Sequence, residues 1–108
     1  MVSNDKTPEL SEKEFESFLK NDLTLIDFSA DWCMPCIMMA PVIDELSDKF
    51  KGKIKFGKLN IEDNQKLAQK HKITSIPNFI LFKKGEKIEQ FIGAMSQEDF
   101  EKKLKKFV

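Results

Sequence analysis

Residues 23–30 read LTLIDFSA, a run whose apolar residues fall on both parities, so a strand made from it is apolar on both faces. Such a strand belongs inside a sheet covered on both sides, which predicts an α/β fold with a mainly parallel sheet. Directly after it comes Trp32-Cys33-Met34-Pro35-Cys36, and from there apolar residues recur at helical spacing to about Phe50. The strand therefore delivers two cysteines, the only two in the chain, to the start of a helix.

That position has chemical consequences. At the start of a helix, unpaired backbone N–H groups and the positive end of the dipole favour a thiolate, which makes Cys33 the candidate nucleophile. Cys36 lies one turn deeper on the same face, near enough to close a disulfide and expected to be better shielded, as a resolving thiol should be. Pro35 suits a first turn, where its fixed φ fits and its missing N–H costs nothing. The side chain of Met34 is expected beside the Cys33 sulfur, on the side a substrate approaches.

Other uses of the pair fit less well. A zinc site wants four ligands, and the chain offers two cysteines and His71 with no second paired motif. A cysteine-ligated iron–sulfur cluster fails on the same ground. Cu(I) held by the thiols with Met34, Met38 and Met39 remains an alternative, although methionines on a helix more often fill a core. A purely structural disulfide over so short a loop adds little stability. Redox chemistry is the main reading, with no metal and no cofactor beyond the two cysteines.

Length and charge narrow the setting. A chain of 108 residues makes one domain, expected to span 1–108 with residues 1–8 loose, and buries roughly two-thirds of its unfolded surface without a staple. Residues 1–10 are polar and no long apolar run follows, so neither export nor a membrane span is expected, and the protein is expected in the cytoplasm. In a reducing compartment a lone CxxC is more often catalytic than structural. All 18 basic residues are lysine, which removes the bidentate arginine contacts to bases and phosphates and argues against nucleic acid. A monomer is expected.

The remaining elements follow from periodicity and caps. Ser11-Glu12-Lys13-Glu14 is a capping box that opens a helix over about 12–20. The cysteine helix should run over about 35–50, with Ile37, Ala40, Ile43, Leu46 and Phe50 inward and Pro41 bending it near Met38. Strands are expected over 54–59 and 78–82, a short helix over 64–71, and a Lys84-Gly85 turn leading to a strand over 87–92. Ser96 caps a last helix over about 97–107. Residues 7–10 are a candidate for a fifth, edge strand.

Two charges sit in apolar surroundings. Asp27 interrupts the central strand, where a carboxylate costs several kcal/mol unless paired or protonated, so its pKa should be raised. Its sharper reading is proton exchange with Cys36, and its plainer one a carboxylate bonded to backbone or water. Lys58 ends the alternation Ile54, Phe56, Lys58 and either tunes that proton or holds its ammonium in water. His71, the only histidine, reads as a solvated surface residue.

The chain from about Leu10 onward resembles the thioredoxin family. The resemblance rests on Asp27-Phe28, Ala30, Trp32-Cys33, Pro35-Cys36, Pro41, Lys58-Leu59-Asn60, Ile76-Pro77, Phe82-Lys83, Gly85-Glu86 and Gly93-Ala94. It implies the thioredoxin fold, a central mixed sheet of four to five strands flanked by about four helices. It also implies a protein-disulfide reductase recharged by a thioredoxin reductase or an equivalent electron donor, with protein disulfides as substrates. On the same ground Asp27 and Lys58 are a buried proton-transfer pair, and Pro77 is cis and faces the cysteines. The backbone of Ile76 would pair with a docked chain, while Trp32, Ile92, Gly93 and Ala94 complete an apolar docking surface. Met34, Ser29, Ile37 and Ser75 stand where the family usually has glycine, tryptophan, a basic residue and glycine, so the potential and the partners are open. A specialised oxidoreductase or a non-enzymatic thiol-binding module is the alternative.

Overall fold

The computed structural model describes residues 7–108. Its elements are α1 (Glu12–Phe18), β1 (Leu23–Ser29), α2 (Met34–Lys49), β2 (Lys55–Asn60), α3 (Gln65–Lys70), β3 (Asn78–Lys83), β4 (Glu86–Ile92) and α4 (Gln97–Lys105). The order is the expected one, and the ends differ from expectation by a residue or two. The strands lie in the order β2-β1-β3-β4, so β1 is interior and buried over its whole length.

The two parities of β1 serve two cores. Leu23 and Leu25 pack with Met39, Ile43 and Leu46 of α2 and with Phe100 and Leu104 of α4. Ile26 and Phe28 pack with Phe15 of α1 and Leu67 of α3. Helices thus cover both faces, so neither side of the strand is solvated and Asp27 is its one charged residue.

The sheet is mixed rather than mainly parallel. Only β1 and β2 run parallel, while β1–β3 and β3–β4 are antiparallel. Burial on both faces reports the helical cover and is silent on strand direction. The β3–β4 pair is joined by Lys84 and Gly85 at φ 49° and 88°, a two-residue left-handed turn that only an antiparallel pair can use.

Residues 7–10 form less than a strand. Glu9 makes one parallel bridge to Lys58, flanked by Leu10 N to Lys58 O at 2.8 Å and Lys58 N to Pro8 O at 2.9 Å. Pro8 has no N–H with which to extend the ladder. Thr7 and Pro8 are nonetheless tied down, since Thr7 is buried and its hydroxyl donates to Asp44 Oδ1 at 3.3 Å. Only residues 1–6 of the segment expected to be loose lie outside the described residues.

The caps form as their spacing requires. Glu14 N donates to Ser11 Oγ at 3.2 Å and Ser11 N to Glu14 Oε1 at 2.9 Å, and Asp99 N donates to Ser96 Oγ at 3.2 Å. Pro41 lies inside α2 without dividing it. Along that helix Ile37 is exposed and Met39 is buried in its place, because the inward line runs Cys36, Met39, Ala40, Ile43 and Leu46.

His71 is not a solvated surface residue. Its ring lies 5.5, 5.9 and 5.6 Å from the rings of Phe15, Phe28 and Phe82, and its Nε2 is buried with no hydrogen-bond partner among the described residues. Desolvation, with Lys70 and Lys87 nearby and Glu16 opposing, lowers its pKa. Surrounding lysines in the sequence hid an aromatic pocket built by three distant elements.

Gly57 is closely approached by side chains of the α1-side core. A Cβ there would lie 2.7 Å from Leu10 Cδ1 and 3.0 Å from Phe18 Cε2. Gly57→Ala should therefore cost about 1–3 kcal/mol, the range for overpacking, and lower the urea midpoint. An unchanged midpoint would show that Leu10 and Phe18 give way freely.

Candidate active site

β1 ends at Ser29, and four residues later Cys33 becomes the N-cap of α2, with φ −85° and ψ 105°. The loop is held by Cys33 N donating to Ala30 O at 3.2 Å, and the helix is entered by Ile37 N donating to Cys33 O at 3.0 Å. Pro35 stands in the first turn, where the missing N–H has no role to fill. Cys33 and Cys36 are joined in a disulfide with a Cα–Cα distance of 5.2 Å. Cys36 N donates to Cys33 Sγ at 3.2 Å, so the cap is made by sulfur.

Burial does not separate the two cysteines as expected. Cys33 is 4% and Cys36 6% exposed, and both pack with Ala30, Ile61 and Ile76. What distinguishes them is position: among the described residues, the Cys33 sulfur and not that of Cys36 receives a helix N–H. The environment that favours a thiolate is therefore at Cys33.

An uncovered apolar surface surrounds this point in the chain. Trp32, Met34, Met38 and Ile92 are 64, 64, 70 and 62% exposed, far more than large apolar side chains usually are when they have a core to join. The Ile76–Pro77 peptide is cis, and Gly93 N donates to Pro77 O at 2.8 Å, which ties the Ile76-Pro77 turn to the Ile92-Gly93-Ala94 loop. Gly93 takes φ 92°, where any other residue is strained. Ile76 joins the cysteine cluster, so the turn is brought to the disulfide although 40 residues of chain separate it from Cys36.

Asp27 lies on the sheet face that α2 covers, next in alternation after Leu23 and Leu25. It is 3% exposed, and its Oδ1 has no hydrogen-bond partner among the described residues. Burial pushes its pKa up to about 7, with the positive charge of Lys58 opposing. Lys58 is its register partner on β2 and is half-buried. No ion pair joins the two among the described residues, so Lys58 acts on Asp27 through space.

The sequence reading attached no role to Asn60, which is buried between the strand end and the cysteine loop. Its Nδ2 donates to Asp31 Oδ1 at 3.4 Å while its Oδ1 accepts from Glu62 N at 2.8 Å. Asn60 thereby braces the loop before Cys33 against the exit of β2. A polar residue ending a buried strand was the available signal.

Among the described residues no three His, Cys, Asp or Glu side chains converge as a metal site. No described helix is long and apolar enough to cross a membrane. A hollow of about 690 Å³ lies between residues 21–23 and 51–56 and is lined by neither cysteine. A second, of about 630 Å³, adjoins Cys36.

Comparison with known proteins agrees with this geometry. The thioredoxin family model matches residues 6–106. Thioredoxin from Synechocystis is 39% identical over 104 residues, covering 94% of this chain and 97% of its own. Thioredoxin from Staphylococcus epidermidis is 36% identical over 97 residues, covering 90% and 93%. Among solved structures, oxidised mitochondrial thioredoxin 3 from Saccharomyces cerevisiae superposes with a TM-score of 0.86 at 32% identity, covering 98% of this chain and 100% of that one. With a redox disulfide at the N-cap of α2 on a four-stranded mixed sheet, the chain belongs to the thioredoxin family and is a thiol-disulfide oxidoreductase.

Proposed function

We propose that Cys33 is the attacking thiolate and Cys36 the resolving thiol of this protein-disulfide reductase, and that Asp27 manages the Cys36 proton. The observation that carries the assignment is the bond from Cys36 N to Cys33 Sγ, which stabilises charge on one sulfur only. The Cys33 thiolate attacks a substrate disulfide, forming a mixed disulfide and expelling the first substrate thiolate. Cys36 gives its proton to the Asp27 carboxylate and attacks Cys33 Sγ. The Cys33–Cys36 disulfide forms and the second substrate thiolate leaves, so two electrons have passed to the substrate. A carboxyl with a pKa near 7 is suited to take and return that proton at neutral pH. Lys58 lowers the cost of the ionised form.

Trp32, Met34, Pro35, Ile76, Pro77, Ile92, Gly93 and Ala94 form the docking surface in this reading, and the backbone of Ile76 pairs with the incoming chain. The exposure of Trp32, Met34 and Ile92 supports it. The electron donor is a thioredoxin reductase or an equivalent, and the protein relays electrons from it to protein disulfides as a monomer whose docking face stays open. A reducing task fits a reducing compartment, and the cytoplasm is the location in this reading. The family match over residues 6–106 supports a single domain over 1–108. Insulin reduction driven by dithiothreitol tests the activity, and a measured reduction potential distinguishes a reductase from an oxidant. No acceleration over dithiothreitol alone would refute the reading.

Met34 distinguishes docking from tuning. Its exposure keeps any desolvation of Cys33 small, while its methylenes each offer about 0.8 kcal/mol on burial under a docked chain. Met34→Gly should shift the potential by less than about 30 mV and lower kcat/KM for insulin more than for a small disulfide. Equal losses on the two substrates would mean that Met34 tunes the sulfur.

A further inference from the structure

The outward face of α2 stays apolar past the disulfide. Four of the seven large apolar side chains exposed among the described residues, Trp32, Met34, Ile37 and Met38, fall within residues 32–38, with Ile37 39% and Met38 70% exposed. Pro41 is exposed as well. Met34, Ile37, Met38 and Pro41 stand at i, i+3, i+4 and i+7, which is one face of a helix. The opposite face, Cys36, Met39, Ala40 and Ile43, is buried. The start of α2 is therefore apolar all round, although only half of that surface has a core to join.

Composition does not account for this. Of the chain's residues 33% are charged, yet none falls within 34–43, and the first charged side chain on the helix is Asp44. The exposed face of α4 shows the ordinary arrangement, with Glu98, Lys102 and Lys105 in water. Single apolar residues on a surface need no explanation, but a contiguous set marks an interaction site. This set joins the docking surface at Met34, which belongs to both. From Met34 to Pro41 it continues for about 10 Å along the helix, at about 1.5 Å per residue.

We propose that Ile37 and Met38 extend the docking surface along α2 and select protein disulfides that carry an apolar side chain some residues away from the reacting cysteine. The inference rests on the docking reading above, in which Met34 lies under the substrate chain. An extended chain advances about 3.3 Å per residue, so about three or four residues carry it from the cysteine across the length of this face. An apolar side chain arriving there covers Ile37 and Met38 and is itself covered. A charged one loses water and meets no counter-ion on residues 34–43. Methionine is flexible and adapts to different apolar shapes, so the selection is by polarity more than by shape. Ile37 stands where the family usually has a basic residue, and the preference belongs to this chain on that account.

The test is a series of disulfide-linked serine–glycine peptides with a single leucine moved outward from the cysteine on either side. The reduced protein is mixed with each, the reaction is quenched in acid, and the second-order rate constant is read by chromatography. Leucine about three or four residues out, on one side, should raise the rate about five- to tenfold over serine at the same place, and phenylalanine should do the same. A glutamate or lysine there should bring no gain. Replacing both side chains, Ile37→Lys with Met38→Lys, should remove the leucine advantage and favour glutamate about two- to fivefold at low salt, the size of a screened charge contact. A leucine effect confined to the residue beside the cysteine, or one that survives both lysines, overturns the proposal. So does a rate per molecule that falls as the protein is concentrated, which would seat a second copy on this face. Insulin reduction by the same preparation keeps the readings apart. Its absence defeats the reductase mechanism, whereas its presence with no gain from the outlying leucine defeats only the extension along α2.

Discussion

Cys33→Ser should reduce insulin no faster than dithiothreitol alone, while Cys36→Ser should stop after one attack and accumulate a mixed disulfide through Cys33. The two cysteines are equally buried, so the asymmetry must come from charge stabilisation. A serine at the N-cap keeps the cap, because its hydroxyl accepts the Cys36 N–H as the sulfur does, and the fold should persist. It offers no nucleophile that is ionised at neutral pH. Cys36→Ser leaves the Cys33 thiolate in place and removes only the group that would release the substrate. Mass spectrometry of each variant after exposure to a disulfide substrate reads the outcome directly. A Cys33→Ser protein that turned over insulin, or a Cys36→Ser protein that trapped nothing, would remove the assigned order of attack.

Asp27→Asn should slow turnover and raise stability, and the gain should depend on pH in a defined way. The folded pKa, about 7, lies above the ordinary 3.8, because burial penalises the ionised form. A raised carboxyl pKa means that the unfolded chain loses its proton first, so the fold is destabilised as pH rises from about 3.8 and carries the full cost above about 7. Keeping the charge inside the fold at pH 8 costs about 4 kcal/mol on this scale, as an upper figure. Asparagine has no charge to bury, so the variant's advantage should be greatest at pH 8 and vanish below about pH 4. Reductase activity moves the other way, since Cys36 loses the group that accepts its proton. Urea melts across this range would contradict the assignment if the variant were less stable at pH 8, which is the behaviour of a paired carboxylate with a lowered pKa.

Local spacing alone determined much of this protein. The double parity of residues 23–30 required a covered central strand, the boxes at Ser11 and Ser96 required helices after them, and two cysteines three apart at a strand-to-helix junction required one sulfur at a helix N-terminus. Asp27 could be singled out because a charge in an apolar strand is costly wherever that strand lies. Each of these features depends on neighbours within about one turn of helix or a few residues of strand, so the sequence states them. The resemblance to a known family then added the cis bond at Ile76–Pro77, which spacing does not imply.

Only the tertiary structure decided which chains of contacts those elements enter. That β3 runs antiparallel to β1, that His71 lies against Phe15, Phe28 and Phe82, and that Ile37 is exposed while Met39 is buried all depend on residues far away in sequence. The near-equal burial of Cys33 and Cys36 is likewise long-range, since Ile61 and Ile76 pack against them, and so is the hollow beside Cys36, made where α2, the end of β1 and the Glu9–Lys58 bridge meet. Periodicity says which side of an element is apolar. What covers that side, and what is left open beside it, is set by long-range packing, which no local spacing encodes.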